Sequence, residues 1–261
     1  MTPTAAPATT AYGLFCWHEL NVPKVPEAKK FYSSLLGWTC RDQPMGPCTY
    51  CDLSRQGVSF GGMMDTSGPM WNGVPPHWMG YVCVKDVDQA AARVPQLGGS
   101  VCVPPTDIPH VGRFAVINDP TGATVSIFQS ADRGPSPEKG AVAWNELLTR
   151  DTARAETFYT SLVGWTTQKM DMGPIGTYTI FLSGDAKVGG MMKMDGPQFE
   201  NVPPHWLYYL LVDKVDDTFG EALKMGATAC CPPMDIPNVG RLAIFTDPAG
   251  ATTAIFEPQK M

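Results

Sequence analysis

Two histidines and two glutamates are the side chains of this sequence best placed to do chemistry. His77 and His205 each stand in the phrase Pro-Pro-His-Trp, at 75–78 and again at 203–206. Of the four histidines, they are the pair matched between two copies of a long internal repeat. A histidine there can act as a general base, an orienting donor or a displaced metal ligand. Wedged by two prolines and a tryptophan, it can equally be a loop residue whose ring bonds the backbone. Glu19 and Glu146 stand in the matching phrases Trp17-His18-Glu19-Leu20 and Trp144-Asn145-Glu146-Leu147. A carboxylate among aromatic rings has its pKa raised by desolvation, which suits proton transfer. Arg113 and Arg241, also matched, are the expected partners of these carboxylates or of an anionic group on a substrate. No Gly-rich phosphate loop, Ser-His-Asp order or nucleophile elbow is present.

The repeat sets the organisation. Phe31-Tyr32 returns as Phe158-Tyr159 and Gly37-Trp38 as Gly164-Trp165, both 127 residues on, like the Trp-x-Glu-Leu phrases. From Pro-Pro-His-Trp onward the offset is 128, so one residue has been inserted in a loop. At this offset Asp119-Pro120 matches Asp247-Pro248, and Val111-Gly112-Arg113 matches Val239-Gly240-Arg241. The period is too long for a solenoid, so the chain is a tandem duplication. We expect a disordered lead-in at 1–11, one domain at 12–129, a linker at 130–140 rich in Pro, Gly and charge, and a second domain at 141–261.

Within each module the pattern predicts an α+β fold, with helices covering one face of a curved mixed sheet. A strand near 14–21 leads to a helix near 26–36 that ends at Gly37, where a C-cap glycine belongs. Short strands follow at 49–53 and 58–64, then a strand near 78–84, a helix near 87–97, and strands near 100–103, 113–118 and 124–129. Residues two apart share one face of a strand. Trp17 and Glu19 therefore share a face, as do His77 and Tyr81, and Phe128 lies on the corresponding face of the last strand. The second module repeats this with Trp144, Glu146, His205, Tyr209 and Phe256. Each module thus predicts an aromatic bowl with a histidine at its rim, either an open small-molecule pocket or a bowl filled by its own rings. Gly61-Gly62-Met63-Met64 and Gly189-Gly190-Met191-Met192 read most simply as a close strand approach with core methionines.

Taken in order, these phrases resemble the vicinal oxygen chelate superfamily, also called glyoxalase/bleomycin-resistance/extradiol-dioxygenase proteins, and look like its two-module bacterial glyoxalase-like members. The carriers are Phe-Tyr-x-x-x-x-Gly-Trp, the strand ending before Val-Asp, the helix ending in Leu-Gly or Met-Gly, and Asp-Pro-x-Gly-Ala, each present twice. The resemblance implies tandem βαβββ modules, two pseudo-twofold-related halves cupping a small-molecule site. It also implies a divalent metal held on the first, fifth and eighth strands. Those positions carry Trp17, Met79 and Ser126 in one module and Trp144, Leu207 and Ala254 in the other, none a good ligand for such a metal. The expectation is therefore no metal and no other cofactor.

Composition narrows the classes further. A net charge of −6 without a Lys/Arg cluster disfavours nucleic acid and anionic membranes. Apolar runs such as Leu207–Val212 are far too short to span a bilayer. Six of the eight cysteines precede Ser130, and only Cys102 and Cys230 match between copies, which favours reduced thiols in a cytoplasm over a disulfide framework. Cys48 and Cys51 form a lone Cys-x-x-C and, at an offset of 127, face Ile175 and Tyr178, which favours plain buried residues. The partner expected is a small molecule, with room left for a homodimer. Three readings stand. The first is a metal-independent binder of a small, largely apolar ligand. The second is a metal-independent isomerase, lyase or hydroxylase-like enzyme using Glu19 or Glu146 with His77 or His205. The third is a metal-dependent lyase or dioxygenase with shifted ligands, such as Glu19 with His77.

Overall fold

A computed structural model describes residues 12–45, 48–131, 141–173 and 176–259. The expected lead-in at 1–11 and the expected linker beyond residue 131 lie outside the described residues.

The first module runs β1 (Phe15–Val22), α1 (Val25–Leu36), β2 (Thr39–Met45), β3 (Cys48–Arg55), β4 (Val58–Asp65), β5 (His77–Cys83), α2 (Val87–Arg93), β6 (Ser100–Ile108), β7 (Gly112–Asn118) and β8 (Thr124–Ser130). The second repeats it as β9 (Val142–Thr149), α3 (Thr152–Val163), β10 (Thr166–Asp171), β11 (Thr177–Ser183), β12 (Ala186–Lys193), β13 (His205–Leu211), α4 (Val215–Lys224), β14 (Thr228–Ile236), β15 (Gly240–Thr246) and β16 (Thr252–Pro258). Each module is one eight-stranded mixed sheet, ordered β2-β3-β4-β1-β5-β8-β7-β6 in the first and equivalently in the second. β1 pairs β4 and β5 pairs β8 in parallel, while β1 and β5 run antiparallel at the centre. Two βαβββ units thus meet along β1 and β5, in the α+β class the pattern predicts.

Local chemistry explains the boundaries. α1 has a proline in its first turn and stops at Gly37, whose φ of 66° is left-handed. α2 ends earlier than the apolar pattern suggests, because Pro95 cannot continue the helix and starts a short 3-10 turn instead. β2 is an element the sequence reading does not contain. It carries Pro44, which an edge strand tolerates, and β2 is the edge of its sheet.

Alternation along β1 sorts its side chains. Leu20 and Val22 enter a core shared by both modules, and His18 lies beside them against Phe15 and Tyr208. Trp17 points to the opposite face, with Met79, Tyr81 and Phe128. The modules are locked together through the shared face. Tyr32, from the Phe-Tyr phrase of module one, donates to Asp247 Oδ2 in the Asp-Pro-x-Gly-Ala turn of module two at 2.8 Å. Tyr159 reciprocates with Asp119 Oδ2 at 3.1 Å. The Trp of each Pro-Pro-His-Trp phrase joins these bonds. Trp78 Nε1 donates to Thr253 Oγ1 at 3.0 Å and Trp206 Nε1 to Tyr159 Oη at 2.9 Å.

At the junction, the repeat-matched but unlike residues His18 and Asn145 meet each other, with His18 Nε2 and Asn145 Oδ1 2.8 Å apart. Asn145 Nδ2 donates to the Val188 carbonyl, so Oδ1 is the acceptor and His18 carries its proton on Nε2. Burial lowers the His18 pKa to about 4, against a smaller opposing pull from Asn145. The unfolded chain therefore takes up a proton before the folded one does. The stability tied to His18 is full above pH 6.5 and is lost as pH falls toward 4, at about 1.4 kcal/mol per pH unit. Urea unfolding across that window should show wild type losing about 3 kcal/mol more than His18→Gln. Parallel pH profiles for the two proteins would contradict a neutral His18 at the junction.

Candidate functional site

On the face away from the shared core, each module gathers a matching tryptophan and two matching tyrosines around one glutamate. In module two, Trp144 Nε1 donates to Tyr178 Oη at 2.7 Å, and Tyr178 Oη donates to Glu146 Oε1 at 2.8 Å. Tyr209 Oη donates to Glu146 Oε2 at 2.7 Å. In module one, Trp17 Nε1 donates to Tyr50 Oη at 2.7 Å, and Tyr81 Oη donates to Glu19 Oε1 at 3.1 Å. Tyr50 and Asn21 stand beside Glu19 and help hold its pKa down. Glu19 and Glu146 are each 8% exposed. Phe128 and Phe114 pack edge-on or tilted against Tyr81. Phe256 packs with Tyr209 and Leu207 in the second cup. The floor of each cup is buried and its aromatic walls are half-buried.

Burial raises the pKa of both glutamates, and the phenol hydrogen bonds only partly offset it. Burial and the adjacent carboxylate push all four phenols up, so each tyrosine keeps its proton and donates. A carboxyl group so placed can hold or accept a proton at a ligand with little competition from water.

The geometry explains the paired glycines. Tyr50 is on β3 and Glu19 on β1, with β4 between them. Gly62 is the β4 residue in register with Glu19, and the Tyr50 phenol crosses directly over it. A Cβ built on Gly62 would lie 2.0 Å from Tyr50 Oη, and one on Gly190 would lie 2.0 Å from Tyr178 Oη. Gly61 and Gly189 instead allow the close approach of the His18 and Asn145 carbonyls. The close-approach reading holds, with a phenol as one of the groups approaching.

His77 and His205 stand on the cup side of their strands, in register with Asn21 and Leu148. Each Nδ1 lies 2.8 Å from the carbonyl of the first proline of its own phrase, Pro75 or Pro203. A carbonyl only accepts, so Nδ1 carries the proton and Nε2 is left as an acceptor. Burial lowers both pKa values. No hydrogen bond joins either histidine to a glutamate among the described residues.

Arg113 and Arg241 are not at the site. Arg113 forks onto Asp88 and also pairs with Asp107, and Arg241 does the same with Asp216 and Asp235, all on the surface. Alternation is the reason: Phe114 turns its ring into the cup, so its neighbour Arg113 turns away. Tyr50 and Tyr178 belong to the candidate site and are absent from the sequence reading. The Cys48–Cys51 comparison set Tyr178 against Cys51, whereas its bonds make it the counterpart of Tyr50. Cys51 is fully buried, and the seven cysteines described are all unbridged. A cavity of about 280 Å³ at the module junction is lined by Phe15, His18, Trp144 and Asn145 among others, and by neither glutamate.

A family model described as the Glyoxalase/Bleomycin resistance protein/Dioxygenase superfamily matches residues 15–127 and again 141–255. The chain belongs to this superfamily. A relative from Mycobacterium tuberculosis, "Putative glyoxylase CFP32", is 37% identical over 249 residues, covering 93% of this chain and 94% of the relative. The "Anthracycline biosynthesis protein DnrV" of Streptomyces peucetius is 30% identical over 266 residues, covering 95% and 94%. Among solved structures, the Mn(II)-bound glyoxalase from Novosphingobium aromaticivorans superposes with a TM-score of 0.62 at 14% identity, covering 95% of this chain and 83% of that one. The 2,3-dioxygenase LapB from Pseudomonas sp. KL28 gives 0.62 at 13%, covering 97% and 94%. At those identities the likeness shows the fold alone.

The superfamily fold implies a metal, and the donor set of this chain does not fit one. Trp17, Tyr81 and Ser126 share one row across β1, β5 and β8, beside Met79 in the row of Glu19. Trp144, Leu207 and Ala254 hold the corresponding places in module two. Each cup offers one carboxylate, already hydrogen-bonded to phenols, and no three His, Cys, Asp or Glu side chains gather among the described residues.

The Gly62 contact makes a direct prediction. Gly62→Ala should cost about 2 kcal/mol through overpacking, and far less when Tyr50 is already Ala, because the displaced phenol is gone. A double-mutant cycle by urea denaturation measures this. Equal losses in both backgrounds would mean that Tyr50 does not cross Gly62.

Proposed function

We propose that this glyoxalase-superfamily protein binds a small, largely apolar molecule in its cups and meets it with the buried Glu19 or Glu146, with no metal taking part. The observation that carries this is the buried Trp, Tyr, Glu and Tyr cluster, built twice from matching residues and hydrogen-bonded throughout in module two. Burying a carboxyl group is costly and apolar packing would stabilise a core better, so setting one beside two phenols in both modules supports a role in recognition. Half-buried rings such as Trp17, Phe128, Trp144 and Phe256 supply the apolar contact. The anthracycline-biosynthesis relative suggests fused-ring aromatic molecules as one class to screen. No helix among the described residues is long and apolar enough to cross a membrane. A reduced cytoplasm is our reading of the cysteines.

A second reading is proton-transfer catalysis by the same glutamates, favoured by their raised pKa values. The basic form of such a group prevails above its pKa. Turnover by it would rise with pH through a value above the ordinary glutamate range, and Glu→Gln would lower it by about 10²–10⁴-fold with binding kept.

The test uses metal-stripped protein, a panel of small aromatic ligands, tryptophan fluorescence and product analysis. Saturable binding without added metal, weakened in the Glu19→Gln and Glu146→Gln double variant and accompanied by no product, is the expected result. Product that disappears in the double variant would favour the enzyme. Binding restored only by a divalent cation would overturn the metal-free reading.

A further inference from the structure

The two cups differ at one buried position that bears on what each can hold. Asn21 in module one stands where Leu148 stands in module two. Each lies two residues past its glutamate on the same strand face, and each is in register with its rim histidine, His77 or His205. Asn21 is 2% exposed and Leu148 is 5% exposed. The Asn21 amide stands beside the Glu19 carboxyl and helps hold its pKa down. Its Oδ1 is the one buried side-chain polar atom with no hydrogen-bond partner among the described residues. Leu148 demonstrates that the same scaffold packs well with an apolar side chain there, so the amide is not required by the fold.

Two acceptors stand open in this corner of cup one. Asn21 Oδ1 has no donor, and His77 Nε2 is an acceptor because Nδ1–H is held by Pro75. The phenols and the indole that could donate are already directed at Glu19 or at one another. A buried acceptor of this kind discriminates strongly for a ligand that brings the missing donor. We propose that cup one is specific for a neutral hydroxyl carried on a small aromatic body, its O–H donated to Asn21 Oδ1, and that cup two takes molecules without that donor. This rests on the cups being ligand sites, as proposed above.

The probes are phenol and toluene, near-isosteres differing in the O–H, titrated calorimetrically into wild type, Asn21→Leu and Leu148→Asn. Wild type should hold one phenol about tenfold more tightly than toluene. Asn21→Leu, which copies module two, should erase that preference, and Leu148→Asn should create a second phenol-preferring site. Both probes binding with an unchanged ratio in Asn21→Leu would overturn this assignment while leaving the cups as ligand sites. Neither probe binding to wild type would overturn the ligand-site reading and this inference with it. Should Asn21→Leu fold poorly, the gain of a second site in Leu148→Asn decides the matter, and its absence counts against the proposal.

Discussion

A carboxyl group withdrawn from water must be given donors, and most of the outward face of each sheet is arranged to provide them. Glu146 takes one phenol on each oxygen, and Glu19 takes Tyr81, with Tyr50 and Asn21 beside it. One phenol, on β5 or β13, stands on the strand next to the glutamate's own. The phenol from β3 or β11 must cross an intervening strand, which forces glycine at 62 and 190. The indole of Trp17 or Trp144 then fixes that phenol from its far side. Removing any one member leaves another polar group buried without a partner, so the cluster acts as a unit.

The opposite face of each sheet is equally constrained, by the other module. The tyrosine of each Phe-Tyr phrase reaches the aspartate of the other module's Asp-Pro-x-Gly-Ala turn. Phrases that recur in the sequence are therefore also the phrases that touch in space, each copy closing against its counterpart. The asymmetric pair His18 and Asn145 fits this arrangement. Two histidines meeting there would each need a tautomer matched to the other, whereas the amide offers a fixed acceptor and spends its donor on the Val188 carbonyl. The rigid back holds β1 and β9 in place, and with them the glutamates that face the cups.

Much of this was legible in the sequence, and what was not has identifiable physical reasons. Period-two alternation placed Trp17, Glu19, His77 and Tyr81 on one face, and their register in the sheet agrees. Across β7 and β15 the same alternation sets Phe114 and Leu242 on the cup side and turns Arg113 and Arg241 away, against the expectation that the arginines join the site. Tyr50 is hidden at an offset of 127, which sets Tyr178 against Cys51. Thr49-Tyr50 and Thr177-Tyr178 are 128 apart, as are the Gly-Gly-Met-Met phrases, so the insertion lies before β11. β2 escaped notice because an edge strand with Lys29 and Asp42 paired at the surface needs no strong apolar pattern.

The central claim is that a ligand meets the carboxylate cluster directly and without a metal. The indole N–H signals of Trp17 and Trp144 report on it, since each donates into that cluster. Two-dimensional NMR of metal-stripped protein, followed through a titration with a small aromatic ligand, separates these two indoles from the other five of the chain's seven tryptophans. The account predicts that the Trp17 or Trp144 signal shifts saturably while Trp78 and Trp206, buried between the modules, stay in place. Signals at 17 and 144 that remain fixed, or that move only after a divalent cation is added, would contradict it.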